Sequence, residues 1–188
     1  MAKNAPLRAR DLERAGIPRA YLTRLRSRGL LERIDRGLYR LADADATEHH
    51  SLAHVAKRVP HGTICLLSAL QVHQLTTELP YVVWIMIDRH ARAPTISYPK
   101  IELVRASGRA RTHGVEVRTM EGVKVRLTTP AKTVADCFRY RRRVGLEVAI
   151  TALRDYLRKN RSGIDALVEA ARADRVYAVM RPYLEALA

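Results

Sequence analysis

Aromatic side chains are scarce in this chain, with one Phe, one Trp and eight Tyr among 188 residues. A core must therefore be filled by aliphatic side chains, and an apolar share of 47% is enough for one. Cysteine is scarcer still. Cys65 and Cys137 stand in apolar stretches with no metal-ligand spacing around them, which argues against a disulfide framework; they read as buried free thiols of a reducing cytoplasm. No apolar run approaches the length of a membrane span, the N-terminus lacks a signal-peptide core, and no basic helix carries the bulky apolar face a membrane surface needs. P-loop and G-x-G-x-x-G sequences are absent, so no nucleotide cofactor is expected. G-x-S-x-G, H-E-x-x-H and C-x-x-C are absent too, which leaves neither a nucleophile elbow nor a zinc motif. Negative charge is the last shortage. Nineteen Asp/Glu face 34 Lys/Arg, a net +15 with a pI near 10.6, and such a surplus points to a polyanionic partner, nucleic acid first.

The stretch Leu7 to Leu41 gives that surplus a shape. Arg10 to Ala15 has helix-forming residues, and Gly16 suits the left-handed residue that ends a helix. Ile17 points back to a small core, and Pro18 fits the first position of a second helix. In that helix Leu22 and Leu25 share a face with Leu12, Ile17 and Leu30, while Arg19, Ala20, Thr23, Arg24, Ser27 and Arg28 face outward. Gly29 closes it. Leu30–Ile34 and Leu38–Leu41 read as strands around an Asp35-Arg36-Gly37 turn. Helix, Gly turn, helix and basic hairpin is the order of a winged helix-turn-helix, whose second helix enters a major groove. Residues 1–42 hold 11 Lys/Arg against 4 Asp/Glu, about half of the net charge. Duplex DNA is the expected partner, touched by Arg19, Tyr21, Thr23, Arg24, Arg26 and Arg28 of the helix and by Arg36 and Arg40 of the wing. The competing reading is a solvated charged surface on a small helical subdomain. A winged helix usually packs its pair against an earlier helix, and six residues are too few to form one. The rest of the chain, a partner, or a longer natural N-terminus would have to supply it.

Ala42 to Ala46, ADADA, is an acidic break and the expected boundary between a domain at 1–44 and a larger one at 45–188. Thr47 is a plausible N-cap for a helix to Val59, stopped by Pro60. Thr63–Leu66 is a short strand or helix entry, and Ser68 to Leu75 an apolar helix. Val82–Ile87 is apolar throughout and reads as a strand buried on both faces. Ile101 and Leu103, then Val115 and Val117, alternate as strands; Glu121-Gly122 predicts a hairpin between 115–119 and 123–127. Thr129 should cap a helix that has Pro130 in its first position. Helices follow over Val144–Asn160, from a Ser162–Asp165 capping box to Ala173, and from Val176 on, with Pro182 breaking the last one at Arg181. The fold class is therefore α/β (α+β): a winged helix-turn-helix, then a small mixed or antiparallel sheet with several C-terminal helices.

These segments resemble the AbiEi family of type IV toxin–antitoxin antitoxins. The likeness is carried by DLERAGIPRAYLTRLRSRGLLERIDRGLYRL, by TEHHSLAHVAKRVPHGTICLLSALQVHQLTTELP, by TPAKTVADCF and by VMRPYLEAL. The resemblance implies a bacterial antitoxin that represses its own operon through the winged helix. Its larger domain would neutralise a nucleotidyltransferase-like toxin encoded beside it. The missing first helix departs from the usual winged-helix pattern.

The remaining chemistry-bearing clusters read as structural. His50 and His54 of His49-His50-x-x-x-His54 are one helical turn apart, but no general-base Glu accompanies them, and local packing is the favoured reading over a metal. His73 reads as a partly buried packing residue, and Ser68 has no acid to complete a triad with it. Asp136 is expected to pair with a neighbouring Arg rather than serve a metal or a toxin. Arg139 with Arg141-Arg142-Arg143 either extends a DNA footprint or forms a solvated surface. No enzymatic activity is expected. The alternatives are a stand-alone regulator with a ligand-responsive domain and a nucleic-acid-processing enzyme with a DNA-reading domain.

Overall fold

Gly16 makes the first corner of the chain, with φ at +83°. The computed structural model describes residues 7–28, 30–41, 49–78, 80–160 and 162–187, so the expectations placed on Gly29, on ADADA and on Thr47 lie outside the described residues. Around Gly16, the amide of Ile17 reaches the Leu12 carbonyl (2.9 Å) and that of Gly16 reaches Glu13 (3.0 Å), closing helix α1 (Ala9–Arg14) with paired C-terminal bonds. Helix α2 (Arg19–Ser27) follows, and Pro18 stands just before it in extended backbone (ψ 150°) rather than in its first position.

Two strands, β2 (Leu31–Asp35) and β3 (Leu38–Leu41), form the expected hairpin, but Asp35 pairs with Leu38 and only Arg36-Gly37 turn the chain. A strand unforeseen in the sequence, β1 (Leu7–Arg8), adds to β3 and gives an antiparallel sheet in the order β1-β3-β2. The small core is Leu12, Leu22 and Leu31, ringed by Leu7, Ala9, Ile17, Leu25 and Tyr39. Leu30, expected in that core, is 53% exposed. Its amide is committed to the Leu25 carbonyl at the end of α2, and strand alternation turns Leu31 inward instead.

The larger part of the chain is a three-layer sandwich. Its elements are α3 (His50–Arg58), β4 (Thr63–Ile64), α4 (Leu66–Val72), β5 (Val83–Asp88), β6 (Ile101–Ala106), α5 (Arg109–Thr112), β7 (Val115–Met120), β8 (Val123–Thr128), α6 (Pro130–Arg139), α7 (Arg141–Val144), α8 (Leu146–Lys159), α9 (Ile164–Ala173) and α10 (Tyr177–Leu187). The five strands run β6-β5-β4-β8-β7. The β5–β6 and β4–β8 pairs are parallel, β4–β5 and β7–β8 antiparallel. Strand β5 is buried on both faces, as its unbroken apolar run requires. Val83 and Ile85 face α3 with Leu52, Val55 and Val125, whereas Trp84 and Met86 face the C-terminal helices with Val134, Phe138, Leu153 and Met180. The β7–β8 turn at Glu121-Gly122 has φ of +47° and +72°, which only a tight primed turn asks for.

Helix α6 opens as its sequence dictates: the Thr129 hydroxyl accepts from the Lys132 amide, with Pro130 at the start. Helix α4 spans Leu66–Val72 rather than Ser68–Leu75, because Gln74 turns left-handed (φ +56°), and three boundaries among the C-terminal helices also depart from expectation. Gly145 (φ +94°) separates α7 from α8, so the long helix begins at Leu146 rather than Val144. Ser162 is no cap, because Gly163 precedes α9 and lets Tyr156 Oη donate to its carbonyl (2.9 Å); a Cβ there would sit 2.5 Å from that oxygen. Pro182 lies inside α10 without ending it. Pro182 and Ala178, whose carbonyl loses its partner, are both on the exposed side, where water can satisfy it.

Candidate nucleic-acid interface

The buried side of α2 is set by Leu22 and by half-buried Leu25. Stepping about 100° per residue from that side brings Ala20, Thr23, Arg24 and Ser27 to the middle of the outward face. Thr23, Arg24 and Ser27 are exposed, and the Ser27 hydroxyl is turned back to the Arg24 carbonyl (2.9 Å). Tyr21 and Arg28 flank this strip on one side and Arg26 on the other; all three are exposed, Tyr21 at 54%. Arg36 is exposed at the hairpin turn. The side chains of Arg19 and Arg40 lie outside the described residues; their backbones belong to α2 and β3. The helix thus presents a polar strip between cationic margins, which is what a groove bounded by two phosphate rows asks for.

The hairpin and α1 are both tied to α3. Arg58 Nη1 donates to the Arg36 carbonyl (3.0 Å), and Lys57 Nζ lies 2.9 Å from Asp11 Oδ2, a hydrogen-bonded pairing that holds the Asp11 carboxyl below its ordinary range. The crevice between the two parts, about 250 Å³, is lined by Arg8, Arg10, Asp11, Lys57 and Lys124 among others. Burial, then the neighbouring charge of Arg10, lowers the pKa of Arg8. Sequence reasoning missed this second basic strip, because Lys57 and Lys124 reach it only through the packing of α3 and β8.

The other candidates fall elsewhere. His50 Nδ1 pairs with Glu121 Oε2 at 2.9 Å and His54 is buried, and among the described residues no three His, Cys, Asp or Glu are grouped to hold a metal. His73 is partly buried. Its Nε2 donates to the Thr128 carbonyl (2.7 Å) and its Nδ1 faces Arg118 Nη2 (3.3 Å), the tautomer of a neutral ring, and burial pulls its pKa down. The Ser68 hydroxyl accepts from the Trp84 amide (3.0 Å), so it serves β5. Cys65 and Cys137 are free and buried, and burial pushes both thiols up, away from reactivity.

Asp136 is ion-paired, but its partner is Lys132 rather than an arginine, because the two stand one turn apart on α6. Lys132 Nζ also lies 2.9 Å from Asp174 Oδ1, and all three side chains are shut off from solvent. Burial draws the Lys132 amine down, yet the two carboxylates outweigh this and leave it raised; burial, joined by the charge of Asp174, raises the Asp136 carboxyl. The Arg139–Arg143 run does not form one patch. Arg139 donates to the Asp174 carbonyl, Arg141 to the Phe138 carbonyl, and Arg143 to the Leu103 carbonyl and Glu102 while covering the Trp84 ring.

Comparison with known proteins bears on the N-terminal segment and on the overall fold. The family described as transcriptional regulator, AbiEi antitoxin, matches residues 3–42, the segment that carries both helices and the hairpin. The RV2827C protein from Mycobacterium tuberculosis has a similar solved structure: TM-score 0.62 and 14% identity, covering 96% of this chain and 76% of that one. At that identity the likeness is one of fold. No curated protein matches the chain in sequence. Among the described residues no helix is long and apolar enough to cross a membrane.

Proposed function

We propose that this chain is an antitoxin and DNA-binding autorepressor of a type IV toxin–antitoxin operon, working in the cytoplasm as a binding protein rather than an enzyme. The observation that carries the reading is the polar outward strip of α2 between cationic margins, inside the segment that matches the AbiEi antitoxin regulators. As in other winged helices, α2 would lie in the major groove with Arg19, Thr23 and Arg24 at base edges. Tyr21 and Arg28 on one margin and Arg26 on the other would hold the two phosphate rows, and Arg36 and Arg40 would follow the backbone with the wing. The domain at 45–188 would neutralise a nucleotidyltransferase-like toxin encoded in the same operon.

The test is a paired assay on the full-length Arg19→Glu/Arg24→Glu variant, using a promoter reporter and growth rescue from the cognate toxin. Repression should be lost and rescue retained. Retained repression would remove α2 from the DNA interface. Loss of rescue by a folded variant would place the winged helix in neutralisation as well.

A further inference from the structure

The end of α6, the end of α9 and the Ser107-Gly108-Arg109 corner enclose a cavity of about 340 Å³. Four arginines line it: Arg109, Arg139, Arg172 and Arg175. Among the described residues lining it there is no carboxylate, and the nearest acid in sequence, Asp174, has its carboxylate turned inward to Lys132 Nζ (2.9 and 3.0 Å). Like charges gathered at one concavity repel one another unless an anion joins them.

Two features make this a built site rather than a chance cluster. The first is a fixed floor. Arg139 Nη1 donates to the Asp174 carbonyl (2.8 Å) and its guanidinium lies over the Tyr140 ring, while the Asp174 side chain is anchored in the buried Lys132 cluster. The second is Arg175. Its φ is +57°, the left-handed residue after α9, where the amides of Arg175 and Val176 close the helix on the carbonyls of Arg172 and Ala171. That position suits Gly, since a Cβ is strained there, yet it holds an arginine, one of the residues that line the cavity. A strained residue at a pocket wall is the pattern of a site kept for what it binds.

We propose that this cavity binds a polyphosphate chain, free or carried by a nucleoside. Guanidinium forks match phosphate oxygens two at a time, and four of them are in keeping with the several charges of a di- or triphosphate. The volume is that of a small-molecule pocket, and its concave form favours a compact anion over the convex backbone of a duplex.

Calorimetric titration of the full-length protein with inorganic tripolyphosphate, ATP and GTP tests this. Saturable one-to-one binding of at least one probe is expected, weakened roughly tenfold or more by Arg175→Gly and by Arg109→Ala. Arg175→Gly is the sharper variant, because relieving the backbone strain should raise the Tm while the affinity falls. Arg24→Ala on α2 should leave probe binding unchanged. Equal affinity for tripolyphosphate and the nucleotides assigns the site to the chain alone, and tighter nucleotide binding adds a base contact; either supports the proposal. Absence of saturable binding of all three probes up to millimolar concentration overturns it. So does equal binding by both variants, or a loss confined to operator DNA, which would make these arginines part of a DNA footprint.

Discussion

Replacing Lys132 by Met should destabilise the larger part of the chain in a way that depends on pH. The Met side chain keeps most of the stem that packs against Gly114, where Lys132 Cβ lies 2.7 Å from the place a glycine Cβ would take, so the change removes mainly the ammonium. Asp136 and Asp174 are then left in the interior without their cation, and Asp136 Oδ2 already has no hydrogen-bond partner among the described residues. Removing one member of a buried ion cluster costs about 3–5 kcal/mol, which for a domain of this size is a fall in Tm of roughly 6–20 °C. The pH dependence has a definite sign. Burial raises the folded-state pKa of Asp136, so its contribution is fully present below the unfolded value and is lost as pH rises through the folded one. Without Lys132 that pKa climbs further, and the deficit against the unmutated protein should be larger at neutral pH than in mild acid. Urea unfolding followed by circular dichroism at two pH values measures it. The charge-free triple variant Lys132→Met/Asp136→Asn/Asp174→Asn should recover most of the loss. A single-variant cost under about 1 kcal/mol, or the same cost at both pH values, would refute the reasoning.

Other expectations concern separate parts of the molecule. Arg24→Ala should cost about 1–3 kcal/mol on the operator and relax sequence preference; equal weakening on operator and random DNA would make Arg24 a phosphate contact. Arg36→Ala should weaken binding to all duplexes and lower the slope of log affinity against log salt by about one unit, and an unchanged slope would remove the wing from the interface. A fragment spanning 45–188 should fold, since it leaves the two larger hydrophobic clusters whole and gives up the solvent-accessible Asp11–Lys57 pair and the Arg58–Arg36 bond, worth about 0–1 kcal/mol each. It should relieve toxicity without repressing the promoter; a folded fragment that fails to rescue refutes the division of labour. Burial lowers the pKa of His73, so its share of stability is present above the unfolded value of about 6.5 and is lost as pH falls through the folded one. Tm measured across that range should fall less steeply for His73→Gln, and parallel profiles would refute the assignment.

What was legible in the sequence was whatever short-range chemistry decides. The Glu121-Gly122 turn, the Thr129-Pro130 helix start and the Gly16 corner are each fixed by a residue's own backbone preference, and each stands where expected. The misplaced boundaries are those that tertiary neighbours decide. Ser162 loses its capping role to a contact between Tyr156 and Gly163, and Pro182 is tolerated because its side of α10 faces water. A two-residue strand such as β1 has no periodicity to read; it exists only because β3 offers an edge. On the candidate interface, the outward face of α2 followed from helical spacing, while the strip of Arg8, Lys57 and Lys124 needed the fold to assemble it. Lys132 and Asp136 stood four apart in plain view, whereas Asp174 comes from a different helix.

The brevity of β4 has a mechanical consequence. Its two residues, with the Cys65 amide donating to the Trp84 carbonyl (3.1 Å), form the seam between the β5–β6 ladder and the β7–β8 ladder, and among the described residues Ile64 alone pairs in both directions, with Ile85 and with Leu127. So short a stitch offers few backbone hydrogen bonds, and the halves of the sheet are joined mainly by the side chains packed above and below it. Fluctuations should therefore run along β4 like the fold in a sheet of card, each ladder moving as a stiff leaf. Amides within the leaves should exchange with deuterated solvent more slowly than those of Thr63 and Ile64 at the crease.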